Sequence, residues 1–97
     1  MKGQTPPVIQ IIAVRLDGGK GHEHITHLQW QCANSSGLTS AEALITWLRD
    51  SGHNQATVQG EQGGVPIEIV TPIGAPSHLR SRAAGQWGEH LLALPRF

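Results

Sequence analysis

The chain has 97 residues, 38% of them hydrophobic, and its seven Lys and Arg balance seven Asp and Glu for a formal net charge of zero. That length allows one small domain, and the neutral balance argues against a dedicated nucleic-acid or polyanion binder, which carries a basic excess. A single cysteine, Cys32, excludes an intramolecular disulfide framework, and no apolar run reaches the length of a membrane span, so a cytoplasmic protein is expected.

Residues 1–7 read as a flexible polar lead-in, and 8–97 as one domain. Val8 to Leu16 is rich in β-branched residues and apolar on both alternating faces, which predicts a strand in the middle of a sheet. Gln10 and Arg15 interrupt it too often for a signal peptide. Asp17 to Gly21 is a glycine turn, and His22 to Cys32 alternates as a second strand, with Leu28, Trp30 and Cys32 on one face. Asn34 to Gly37 breaks the pattern before a helix over 39–51. There Thr39 and Glu42 form a capping box, and Ala41, Leu44, Ile45 and Leu48 form an apolar stripe with Trp47 at its edge. Gly52 supplies the helix stop.

Gln55 to Gln59 and Val65 to Val70 read as further strands around a glycine turn. Pro66, lacking a donor, belongs at a strand start or a sheet edge. A loop over 71–76 leads to a last strand, Ser77 to Arg82, and Glu89 to Leu94 reads as a helical turn stopped at Pro95. Leu91, Leu92, Leu94 and Phe97 would each forgo about 1.5–3 kcal/mol in water, so the C-terminus is expected to dock. The fold class that follows is α+β in the order β-β-α-β-β-β. It has a largely antiparallel sheet, the helix on one face, and the docked tail over the other face or an edge.

Several words of the chain resemble a small bacterial family known as domain of unknown function 3892. They are Ile12-Ala13-Val14-Arg15, His22-Glu23-His24-Ile25 with Trp30, His78-Leu79-Arg80-Ser81, Ala83 to Trp87, and Glu89-His90-Leu91-Leu92-Ala93-Leu94-Pro95. The likeness spans nearly the whole chain, and its closing segment is the specific part. The family usually has Tyr where this chain has His78, Asp where it has Ala84, and Asp-Asn where it has Glu89-His90. The resemblance implies the domain boundaries and carries no activity, substrate or cofactor.

Six histidines are the compositional outlier. His22 and His24, two apart in a strand, would share a face and start a zinc site, with His53, His78 or His90 as further ligands. Against this stands the ordinary role of histidine as a turn or surface residue. Arg80 and Arg82 alternate on one face and suit an anion or a partner, unless Arg80 pairs with Glu68 or Glu89 and locks the tail. Trp87, between glycines, is the exposed aromatic. The serines lie in no nucleophile motif, Cys32 faces inward, and Gly18 to Gly21 lacks the length and helix of a phosphate loop.

The leading expectation is therefore a non-enzymatic binding or adaptor module, acting by protein–protein contact or as a homo-oligomer through strand edges at Pro66–Thr71 and Ser77–Arg82. A histidine metal site, with or without catalysis, is the second reading. Weak nucleic-acid binding through Arg80, Arg82, Lys20 and Trp87 is the third.

Overall fold

The β-branched run Val8–Leu16 forms strand β1, and in the computed structural model it lies inside a sheet ordered β3-β2-β1-β4-β5-β6-β7. Residues 8–32, 35–50, 54–60, 63–83 and 85–97 are described. After β1 come a 3-10 turn (His22–His24), β2 (Ile25–Cys32), β3 (Ser35–Ser40) and helix α1 (Ala41–Asp50). β4 (Gln55–Gly60), β5 (Gly63–Val70), β6 (His78–Ala83) and β7 (Gln86–Trp87) complete the order.

The class is α+β as expected, but the sheet is larger and mixed. β1 pairs antiparallel with β2 and parallel with β4, from Val8 opposite Gln55 to Ile11 opposite Val58. A parallel neighbour requires a long crossover, which the chain makes through β2, β3 and α1. Two strands are additions to the expected set. Ser35–Ser40, read as a loop leading into the helix, pairs along its whole length with β2. The ring of Trp30 lies on Gly37 so closely that a β-carbon there would stand 2.9 Å from it. Gln86–Trp87, read as loop, pairs with Arg82 and Ala83.

The helix starts one residue later than the capping box predicts. Thr39 is committed to the ladder opposite Leu28, so Ser40 becomes the cap, its Oγ accepting from the Ala43 amide at 3.1 Å. At the other end Asn54 donates to the Trp47 carbonyl at 2.7 Å. The expected stop, Gly52, lies outside the described residues, as do lead-in residues 1–7. The stripe itself is as read: Leu44 and Ile45 are buried, and Ala41 and Leu48 pack against them.

The expected strand edges lie within the strand order, where β5 pairs with β4 over 63–66 and with β6 over 67–70, so that each half of it has a strand partner on one side among the described residues. Pro66 sits where one pairing ends and the other begins, so its missing donor costs the ladder little. Among the described residues the outer strands are β3 and the two-residue β7.

One apolar cluster unites the fold: Ile11, Val14, Ile25 and Leu28 meet Leu44 and Ile45 of the helix, Val58, Ile67, Leu79 and Leu91. Of the two expected positions for the C-terminal segment the structure has the edge: Leu91 enters the same core as the helix, and the last residues lie along β1 beyond the end of β4. Glu89 to Leu94 closes on itself through bonds such as Leu92 N to Glu89 O at 3.1 Å. The chain then runs beside β1, Val14 donating to Pro95 O at 3.0 Å and accepting from Phe97 N at 3.2 Å. Arg96 finishes the turn by donating to the Leu92 and Leu94 carbonyls. Leu91 is fully buried, so Leu91→Ala is expected to cost about 2–5 kcal/mol in urea unfolding. A loss below about 1 kcal/mol would mean that the segment lies outside the cooperative unit.

Candidate functional site

The histidine pair does not form a chelate. Residues 22–24 wind into a 3-10 turn instead of continuing β2, so the alternation that would align His22 with His24 is absent. His24 Nδ1 turns back to accept from the Gly21 amide at 3.3 Å and lies 3.2 Å from Glu23 Oε1. Its ring lies over Gly19, where a β-carbon would collide with it. His22 goes inward and is 7% exposed. His53 lies outside the described residues, and among the described ones no three of His, Cys, Asp and Glu are placed to share a metal ion.

What the fold does bring together is His22 and His78. Both line a cleft of about 360 Å³ between the 3-10 turn, the first turn of α1 and the start of β6. Ile25, Ala41, Ile45 and Leu79 give it apolar wall, while Glu23 and Glu42 supply carboxylates. His22 Nε2 and His78 Nδ1 are each buried without a hydrogen-bond partner. Burial lowers the pKa of His22, and Arg80 and His78 push the same way against Glu89 and Glu23. His22 is therefore held neutral at pH 7.

The closing segment is fastened by polar contacts. Ser81, fully buried on β6, meets His90 Nδ1 at 2.9 Å, and Gly88 N donates to Ser81 O at 2.9 Å. Arg80 Nε donates to Gly88 O at 3.0 Å, so it locks the tail as the structural alternative held, through a carbonyl instead of a carboxylate. His90 is thus a fastening residue, and the Ser81 hydroxyl has no access to a substrate. Arg82 stacks on Trp87, 4.9 Å from the ring centroid, across the β6–β7 pair, and Trp87 keeps 39% of its surface exposed.

The second feature is the β3 edge. Ser35-Ser36-Gly37-Leu38-Thr39-Ser40 carries neither charge nor proline and has a strand on one side only among the described residues. Leu38 is 65% exposed. Natural edges are usually guarded by charge, proline or a bulge, and this one has no charge or proline.

A model of the family described as protein of unknown function (DUF3892) matches residues 10–95. No curated protein and no solved structure matches the chain.

The neutral burial of His22 has a measurable consequence. Its folded pKa is below the unfolded value of about 6.5, so its share of stability is complete above that pH and is lost as pH falls through it. Urea unfolding between pH 7.5 and 5 should show stability falling by up to about 1.4 kcal/mol per unit from this group, and His22→Gln should flatten the profile. Superimposable profiles would contradict the assignment.

Proposed function

The chain belongs to the family described as protein of unknown function (DUF3892), and on its own geometry we propose that it is a non-enzymatic binding module that self-associates through strand β3. The observation that carries this reading is the uncharged, one-sided edge with Leu38 exposed on it. An antiparallel pairing centred on Leu38 sets two Leu38 side chains opposite one another and Thr39 opposite Gly37. It satisfies the open backbone groups of both copies and is closed by a two-fold axis. A formal charge of zero removes the net repulsion that keeps many small proteins apart. Cys32, buried and unpaired, is compatible with a reducing cytoplasm.

The other readings have less support. Arg80 is engaged by Gly88 and Arg82 by Trp87, which leaves two of the expected phosphate contacts already partnered. Among the described residues, no helix is long and apolar enough to cross a membrane.

Light scattering over a hundredfold range of concentration should give a mass rising from one copy to two, and Leu38→Lys should shift the midpoint at least about tenfold upward. A single-copy mass throughout, or a dimer indifferent to Leu38→Lys, would overturn the proposal.

A further inference from the structure

Glycine at position 37 leaves one face of β3 bare, and the indole of Trp30 lies over the gap. Trp30 on β2 stands opposite Gly37, so the two share a face of the sheet. A β-carbon on Gly37 would stand 2.9 Å from Trp30 Cζ2 and 3.2 Å from Nε1. The Nε1 edge of the ring therefore crosses the strand where any other residue would place a side chain. An indole N–H can only donate, and it seeks an acceptor wherever water is excluded. Thr39, on the same face of β3, has the complementary polarity. Its hydroxyl proton is committed to the Ser40 carbonyl at 3.0 Å, which leaves the Oγ1 lone pairs to accept. Within one copy Thr39 stands opposite Leu28.

Given the pairing of two copies through β3, on which this rests, we infer that Trp30 and Gly37 form a notch that receives Thr39 of the second copy and fixes the register of the pair. With the two-fold axis at Leu38, Thr39 of one copy falls opposite Gly37 of the other, on the face that holds Trp30. Directly opposite β-carbon positions lie about 4.5–5.5 Å apart, so Nε1, already over Gly37, comes within donating reach of the partner's Thr39 Oγ1. The axis makes this contact twice, on the face opposite to the Leu38 pair. Leu38 thus supplies apolar area, and the notch supplies alignment. A slip of the pairing that keeps the faces matched would set Gly37 opposite Gly37 or Ala41, neither of which carries a side-chain acceptor. The edge is therefore matched to its own sequence, which makes a second copy its partner.

The test follows the assigned indole N–H resonances of the full chain by NMR, over the concentration range in which light scattering reads the mass. The Trp30 N–H should move downfield with the same midpoint as the mass, while those of Trp47 and Trp87 stay. Thr39→Val removes the acceptor and keeps the shape. It should raise the dissociation constant at least about fivefold, with the Trp30 shift lost in the dimer that remains at high concentration. Thr39→Ser keeps the hydroxyl and should retain both the affinity and the shift. A mass that rises to two copies while the Trp30 N–H stays fixed would overturn the notch and leave the β3 pairing standing. A Thr39→Val dimer as tight as that of Thr39→Ser would do the same. A single-copy mass throughout would overturn both.

Discussion

Strand β1 has more backbone to satisfy than any one neighbour covers, and the rest of the fold is arranged to meet that demand. It lies between β2 and β4, and Ile11 and Val14 on it are fully buried. A buried amide or carbonyl left unpaired costs as much as a lost hydrogen bond. β2 covers one side from Gln10 to Leu16, but β4 covers the other only as far as Ile11. Beyond that point the C-terminal residues take over, bracketing Val14 with bonds from Pro95 and Phe97. The last residues of the chain therefore complete the pairing of β1 by their backbone, while their side chains stay exposed.

Other features follow from that docking. For the chain to arrive beside Val14, the segment before it must turn in a fixed place, and the contacts of Arg80 with Gly88 and Ser81 with His90 fix it to β6. Leu91 then falls into the core. Burial is the main cause that keeps His22 neutral, with Arg80 adding to it and Glu89 opposing it, so the strand and segment that anchor the terminus also bear on the buried imidazole. Structural and candidate binding residues are thus neighbours on β6: Leu79 and Ser81 support the core and tail, while His78 faces the cleft.

The parts legible in the sequence are those with their own periodicity. β1 declared itself by β-branched residues on both faces, α1 by the 41–44–45–48 stripe, and the closing segment by its apolar residues. Of these Leu91 is buried and Leu92 and Leu94 partly so, while Phe97, expected to bury, is exposed and docks by its backbone amide instead. β3 was illegible because Ser-Ser-Gly-Leu-Thr-Ser has no apolar alternation, and its strand character comes from pairing with β2 and from Trp30 over Gly37. The 3-10 turn was hidden by the reverse effect, since His22-Glu23-His24-Ile25 continues the alternation of β2 while the backbone winds up. That local change removed the His22–His24 pair. The meeting of His22 with His78 joins residues 56 positions apart and depends on the tertiary fold, so no local pattern announces it.

The central claim, that the C-terminus completes the pairing of β1, is tested most directly by native-state amide hydrogen exchange at Val14 and Phe97. The account predicts that both amides are protected to nearly the same free energy as the β1–β2 core, since their bonds open only when β1 does. Exchange of Phe97 and Val14 at the rate of a frayed terminus, with the β1–β2 core still protected, would contradict it.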